Sequence, residues 1–358
     1  MSTPRNSPSP STASYKNAAT RSVPVRGENF AYRELGPKDG VPLILLVHLA
    51  GVLDNWDPRV VDGLAARRRV ITFDNRGVGG SSGSTPDTIE AAARDAVLFI
   101  RALGFDQVDL FGLSMGGFIA QVITAEEPHL VRKVILAGTG PAGGSGIDKV
   151  PALTIRATLK GALTRQDPKL FLFFTDTAGG RQAGRDFLER LKERTHDRDK
   201  DISLPSFRAQ LKAIKQWGRQ APSDLSAIRQ PVLVANGEND RMVPSPNTLD
   251  LAARLPHSEL IPSTRMPGTG VSSSTTMTSC PGRSVSSSPE PERLSQEWGL
   301  TAIELPPADQ QSAGPSGTGQ RTAGEASADR RGGWARLGRL RSGFCPPSRR
   351  LVAVVVRQ

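Results

Sequence analysis

An apolar strand pattern, a serine between glycines and an apolar helix pattern follow one another directly between residues 107 and 123. Residues 107–111 (Gln-Val-Asp-Leu-Phe) predict a short buried strand, and residues 117–123 (Gly-Phe-Ile-Ala-Gln-Val-Ile) predict a helix. The sequence Gly-x-Ser-x-Gly lies between them, so Ser114 is predicted on a sharp strand-to-helix turn that can present a nucleophile. Gly112 and Gly116 lack a Cβ, which lets the strand and the helix approach closely enough to hold a strained turn.

The same motif also has a simpler interpretation. A chain with 36 glycines produces Gly-x-Ser-x-Gly by chance, and the serine would then lie in an ordinary glycine-rich turn. The strand and helix patterns on either side favour the nucleophile. The N–H groups at the start of the following helix would point towards Ser114 and stabilise a developing oxyanion.

Strand and helix patterns alternate along most of the chain. Residues 42–48 (Pro-Leu-Ile-Leu-Leu-Val-His) are almost continuously apolar, as expected of a central parallel strand that is buried on both faces. Alternation with short loops predicts an α/β fold with a doubly wound, mostly parallel sheet. The predicted strands are residues 22–25, 30–35, 42–48, 69–74, 107–111, 133–137, 231–235 and 258–261, and the predicted helices include residues 57–67, 87–103 and 246–255.

The alternation is interrupted once, and the pattern defines five segments. Residues 1–16 predict a disordered tail, and residues 17–145 the first part of the core. Residues 146–220 have mostly helical patterns and predict a helical cap insertion, whose aromatic residues line a substrate pocket or form the core of the cap. Residues 221–262 predict the second part of the core, and residues 263–358 a low-complexity, disordered tail.

Composition excludes several classes of protein. The net charge of +11 invites a nucleic-acid interpretation, but residues 265–358 alone carry 12 arginines and 7 acidic residues. Much of the charge therefore belongs to the tail, and we expect no nucleic-acid partner. No run of 18 apolar residues predicts a membrane span, and the first 23 residues have no apolar signal region, so we expect a cytoplasmic protein without membrane partners.

Three further motifs turn these patterns into a family resemblance. They are residues 48–51 (His-Leu-Ala-Gly), residues 74–81 (Asp-Asn-Arg-Gly-Val-Gly-Gly-Ser) and residues 237–244 (Gly-Glu-Asn-Asp-Arg-Met-Val-Pro). Together with the motif around Ser114, they resemble the α/β-hydrolase family, in particular its capped serine esterases and non-haem haloperoxidase-like members. The resemblance extends from about Tyr15 to Ile261. It implies hydrolysis of a small ester or related acyl substrate, without a cofactor or a metal, and leaves the oligomeric state open.

The resemblance also implies roles for individual residues. Ser114 would be the nucleophile, and the backbone N–H of Met115 would supply one oxyanion donor. The second donor would be the backbone of Ala50, with Leu49 as the alternative because the loop departs from the usual His-Gly start. Asp240 would be the acid that orients the base, with Glu238 as its rival.

Other residues of these motifs have more modest predicted roles. His48 would shape the oxyanion loop, because in this fold the base follows the nucleophile and the acid along the chain. Asp74 and Arg76 would brace a loop. Residues 54–56 (Asp-Asn-Trp) would line the entrance to the site or simply pack.

A serine hydrolase needs a base, and the sequence does not supply one at the expected place. The chain has four histidines, which are His48, His129, His196 and His257. His257 follows Asp240 but precedes the last predicted strand, which places it roughly 16 Å away at the wrong edge of the sheet.

A shift of reading frame would account for the missing base. If residues 265–271 are written with GC-rich codons and each codon starts one nucleotide earlier, the translation is Asp-Ala-Gly-His-Gly-Gly. Continuing to residue 280 permits Val-Phe-Gln-His-His-Asp-Asp-Phe-Val, which resembles the histidine loop of the family and the start of its terminal helix. We therefore interpret residues 263–358 as out of frame and the activity of this chain as impaired. The alternative for these residues is a natural disordered tail. The alternative for the function is an inactive protein that binds a small apolar ligand.

Overall fold

A computed structural model describes residues 14–237, 240–261 and 298. One sheet of eight strands organises these residues, in the order β1-β2-β4-β3-β5-β6-β7-β8. The first two strands and the β2–β4 pair are antiparallel, and every other neighbouring pair is parallel. The strands are β1 Arg21–Val25, β2 Glu28–Leu35, β3 Leu43–Leu46, β4 Val70–Phe73, β5 Val108–Leu113, β6 Val131–Ala137, β7 Val232–Ala235 and β8 Ser258–Ile261.

Helices cover both faces of this sheet, which confirms the predicted α/β class with a mostly parallel sheet. On one face, Phe99 and Phe118 pack into a large apolar cluster, and on the other face Val61 packs into a second cluster. All positions of β3 and β5 are buried, because parallel strands in the middle of such a sheet have helices on both sides. The helices are α1 Pro58–Ala65, α2 Ile89–Ala102, α3 Met115–Glu126, α4 Val150–Thr164, α5 Lys169–Phe173, α6 Ala178–Leu191, α7 Leu204–Trp217 and α8 Pro246–Arg254.

The helical insertion lies between β6 and β7 and consists of α4 to α7. Part of it has a small core of its own, in which the rings of Phe174 and Phe187 lie 5.6 Å apart. The last helix, α7, packs on the main core, where Trp217 stacks on Phe118 at 5.5 Å. The aromatic residues of the insertion thus serve in part as its internal core.

Residues 14–16, which the sequence assigned to the amino-terminal tail, belong to the described part of the chain. Tyr15, which the predicted tail of residues 1–16 includes, is only 2% exposed, and its hydroxyl donates to the Leu53 carbonyl at 2.7 Å. An aromatic side chain with a satisfied hydroxyl anchors the segment. Residues 1–13 of the predicted tail lie outside the described residues.

The predicted tail of residues 263–358 also lies outside the described residues, apart from Trp298. That side chain is 3% exposed and belongs to the same apolar cluster as Phe111 and Ile135. Arg68 Nη1 donates to its carbonyl at 3.1 Å. Among the described residues, no helix has both the length and the apolar character that crossing a membrane requires.

Candidate active site

Ser114 occupies the junction between β5 and α3 in a strained backbone conformation. Its φ of 53° and ψ of −116° are unusual for a residue other than glycine. Its N–H donates to the Ala137 carbonyl at 2.9 Å, and its own carbonyl accepts from the Gly117 N–H and the Thr139 hydroxyl, each at 2.8 Å. The surrounding strand and helix therefore fix the turn, and the half-buried serine is held at the carboxyl edge of the sheet.

The glycines of the motif have the packing role that the sequence predicted. A Cβ at Gly112 would lie 2.6 Å from the carbonyl oxygen of Gly116, and a Cβ at Gly116 would collide with the carbonyl of Leu46. A Cβ at Gly117 would lie 2.5 Å from the Thr139 hydroxyl. The start of α3 thus lies directly against β3 and β5, and only glycine permits that approach.

Asp240 lies beyond the end of β7, at the same edge of the sheet. Its Oδ1 accepts hydrogen bonds from the N–H groups of Met242 and Val243 at 2.7 and 3.0 Å. Burial raises the pKa of Asp240, and these two N–H groups oppose that rise. A Cβ at Gly138 would lie 3.7 Å from Oδ2, and Gly138 directly follows the residue that accepts from the Ser114 N–H. The rival acid Glu238 lies outside the described residues.

The predicted oxyanion loop contains a contact that sequence patterns did not indicate. Ala50 has a φ of 60°, and its N–H donates to the side-chain Oε1 of Gln210 at 2.8 Å. Gln210 comes from α7 and is 2% exposed. No sequence motif marks this glutamine. Its contact with Ala50 becomes visible only once the insertion is packed on the core. Met115 opens α3, and N–H groups in the first turn of a helix have no carbonyl partner within the helix.

His48 is buried at the start of this loop and is uncharged at neutral pH. Burial lowers its pKa to about 4. Its Nδ1 lies 2.8 Å from the Leu49 carbonyl, and its ring meets Phe173 of the insertion edge-on at 5.5 Å. These contacts support the predicted role of shaping the loop rather than that of a base.

The other three histidines are exposed, and the backbone carbonyl of His257 accepts from the Val232 N–H at the amino end of β7. That is the opposite end of the strand from Asp240. Within the described part of the chain, no histidine forms a hydrogen bond with Ser114 or Asp240.

The loop after the oxyanion segment carries a buried ionic network that joins the core to the insertion. Arg33 is fully buried, and its Nη1 lies 2.7 Å from Asp54 Oδ1. The other Asp54 oxygen accepts from the backbone N–H of Asp199 at 2.8 Å. Trp56 packs at 5.9 Å against Phe111 in the core. These residues therefore pack and brace, as one of the two predicted alternatives stated.

Asp74 and Arg76 have bracing contacts as well. Asp74 accepts from the N–H groups of Leu53 and Gly80 at 2.9 and 3.0 Å, and Arg76 pairs with Asp95 at 2.8 Å. No cluster of three or more histidine, cysteine, aspartate or glutamate side chains suited to a metal occurs in residues 14–237 and 240–261.

Asp199 of the insertion places a second carboxylate beside Asp74. A Cβ at Gly79 would lie 2.5 Å from Asp74 Oδ2 and 2.6 Å from Asp199 Oδ2, so the two groups face the same small space. Burial raises the pKa of Asp74 well above its usual range, and the adjacent Asp199 raises it further. Because this folded-state pKa is raised, the associated stability is present at low pH and is lost as the pH rises through it.

We expect Asp199→Asn to stabilise the fold more at pH 8 than at pH 5, by about 1 kcal/mol, because an amide carries no charge to oppose the ionisation of Asp74. Urea unfolding of both proteins at the two pH values measures the difference. Asp201→Asn, which removes an exposed carboxylate two residues away, is the control and should show no such pH dependence. An equal effect of Asp199→Asn at both pH values would contradict the prediction.

Comparison with known proteins agrees with this architecture. Residues 42–264 match the family model of the alpha/beta hydrolase fold, so the chain belongs to that family. The resemblance inferred from the motifs is therefore confirmed at the level of the family, and the relatives support a hydrolase.

Three relatives illustrate the range of the family. A protein of Rhizobium rhizogenes named carbamate hydrolase RutD is 28% identical over 244 residues, which cover 65% of this chain and 87% of the relative. A Mycobacterium tuberculosis protein named non-heme bromoperoxidase BpoC is 35% identical over 112 residues, which cover 31% of this chain and 42% of the relative. Among solved structures, an alpha/beta hydrolase fold protein from Chitinophaga pinensis has a TM-score of 0.66 and 41% identity, covering 69% of this chain and 90% of its own.

Proposed function

We propose that this chain derives from a serine hydrolase that cleaves a small ester or related acyl compound through an acyl-enzyme on Ser114. The observation that carries the proposal is the strained φ of Ser114 at the junction of a buried strand and a helix. The similarity to proteins named carbamate hydrolase and bromoperoxidase supports a hydrolase that acts on a small molecule.

The proposed reaction has two acyl-transfer steps. The Ser114 Oγ attacks the acyl carbon, the hydroxyl proton passes to a base, and the bond to the leaving group breaks as that group takes up the proton. The N–H groups of Met115 and Ala50 stabilise the oxyanion, and Asp240 orients the base. Water then attacks the acyl-serine in the same way and releases the acid.

The base is the part that the sequence as printed lacks. We propose that one nucleotide is missing near codon 265 and that the intact gene encodes a histidine loop after β8. Under this proposal, the chain retains a nucleophile and donors for the oxyanion, and acylation is slow. We also propose that residues 146–220 form a cap on a core made of residues 17–145 and 221–262. The cytoplasmic location and the lack of nucleic-acid and membrane partners stay predictions.

A fluorophosphonate probe tests the nucleophile directly. We expect covalent labelling of the full chain at Ser114, located by peptide mass spectrometry, and at least a 10²-fold loss of labelling rate, as an order of magnitude, in Ser114→Ala. Ser81→Ala, which removes a buried hydroxyl that donates to the Asp74 carbonyl, is the control and should leave labelling at Ser114 intact. Labelling that is equally fast in Ser114→Ala would contradict the proposal.

A non-catalytic binder is the second candidate, and two observations favour it. No histidine in the described part of the chain forms a hydrogen bond with Ser114, and the Ala50 N–H already donates to Gln210. A pocket of this kind would retain affinity for a small apolar ligand without turnover. The absence of any labelling of a folded full chain would support the binder over the hydrolase.

A further inference from the structure

Gln210 brings a buried amide from the insertion to the oxyanion loop. Its Oε1 accepts from the Ala50 N–H at 2.8 Å, which fixes the amide orientation because only the oxygen can accept. The Nε2 on the other side is buried and has no hydrogen-bond partner among the described residues. An unpaired buried donor is unfavourable, so the amide is suited to an acceptor that a ligand would bring.

The helix that carries Gln210 is anchored on both sides of it. Near the amino end of α7, the Ser206 hydroxyl donates to the Gly77 carbonyl at 2.7 Å. At the carboxyl end, Trp217 stacks on Phe118 and its Nε1 donates to the Gly140 carbonyl at 3.4 Å. The backbone of Gln210 is therefore held in place, and its amide moves chiefly through its own side-chain torsions.

The position of Oε1 is the one that a substrate oxygen needs. To accept from the Ala50 N–H, a substrate carbonyl oxygen has to replace Oε1, since two oxygen acceptors repel each other at that distance. Rotation about the inner torsions of the glutamine side chain withdraws the amide from the position that the substrate oxygen takes, and the broad, nearly two-fold terminal torsion lets the amide turn over at low energy. Because Nε2 has no hydrogen-bond partner, turning the amide breaks only the hydrogen bond from the Ala50 N–H to Oε1. The substrate oxygen then accepts from that N–H.

We propose that Gln210 is a catalytic residue whose turned amide donates from Nε2 to the substrate carbonyl oxygen. It would be a third oxyanion donor beside the N–H groups of Ala50 and Met115, supplied by the insertion rather than by the core. This inference rests on the proposed function, since the oxyanion forms during acylation of Ser114. No covalent bond to Gln210 forms or breaks, and its amide stays neutral throughout.

Acylation of Ser114 by 4-nitrophenyl butyrate tests this role in the full chain. The second-order rate is followed by release of 4-nitrophenolate and by intact mass. Gln210→Met keeps the length but neither donates nor accepts, and we expect acylation about 10²-fold slower. Gln210→Glu retains an acceptor for the Ala50 N–H but no donor, and should also be slower. Gln216→Met, an exposed position on the same helix, is the matched control and should be unchanged.

A thionoester separates donation from a structural effect. In O-4-nitrophenyl thionobutyrate, sulfur replaces the carbonyl oxygen and accepts hydrogen bonds weakly. If Gln210 donates to the oxyanion, Gln210→Met lowers the ratio of the ester rate to the thionoester rate; a structural role lowers both rates equally.

The remaining outcomes overturn the inference. An unchanged ratio, or faster acylation in Gln210→Met because Oε1 only blocks the Ala50 N–H, contradicts it. If Ser114 is acylated and Gln210→Met does not change the rate, the inference fails and the proposed function stands. If a folded chain shows no acylation of Ser114 by either ester, the proposed function fails and the inference fails with it.

Discussion

Insertion of one nucleotide at codon 265 should raise the rate of 4-nitrophenyl ester hydrolysis by about 10³-fold or more over the chain as printed. In the proposed frame, a histidine would lie in an Asp-Ala-Gly-His loop after β8, which neighbours the strand that leads to Asp240. A serine with its base and orienting acid gains several powers of ten over a site that has only binding and oxyanion contacts. The measurement is kcat/KM for both proteins at equal folded concentration.

The control for this prediction is the same insertion with the histidine codon of that loop changed to an alanine codon. It restores the rest of the carboxyl-terminal sequence but not the base, so its activity should stay near that of the printed chain. If the alanine version is as active as the histidine version, the gain comes from refolding the tail rather than from a base. Sequencing the gene across codons 255–285, with an intact mass of the expressed protein, shows independently which frame is translated.

The sequence predicted most of the fold because its central strands are buried on both faces and many of its helices are amphipathic. The strand at residues 258–261 and the helix starting near residue 246 agree with the structure within a residue. The strand predicted at residues 42–48 is too long, because β3 ends at Leu46 and the buried Val47 and His48 do not pair with a neighbouring strand. Burial alone produces an apolar pattern, and hydrogen bonding to neighbouring strands decides where a strand ends.

The candidate site divides in the same way between local and long-range information. Ser114 and its glycines lie within one turn, so spacing along the chain was sufficient to predict them. The contact between Gln210 and Ala50 joins residues 160 positions apart, and Asp54 meets Asp199 across 145 positions. Such pairs depend on how the insertion packs on the core, which no local pattern records.

The glycine at the second position of α3 should prove one of the most sensitive positions in the fold. We expect Gly116→Ala to lower the free energy of unfolding by about 3 kcal/mol, because the new methyl group would collide with the carbonyl of Leu46. The obstacle is backbone of the central strand β3, so no side-chain rotation can relieve it. A loss of this size is a large part of the stability of an ordinary domain.

Gly179 is the matched control, since it is also the second residue of its helix, α6. A Cβ there would have no heavy atom within 4 Å, so Gly179→Ala should be neutral or stabilising by up to about 1 kcal/mol. Urea unfolding of both variants gives the comparison. Opposite signs would show that close contact between α3 and β3, and not helix propensity, requires glycine beside Ser114. Similar changes in both variants would instead mean that β3 and α3 can separate without cost, and the strained turn would then lose its structural cause.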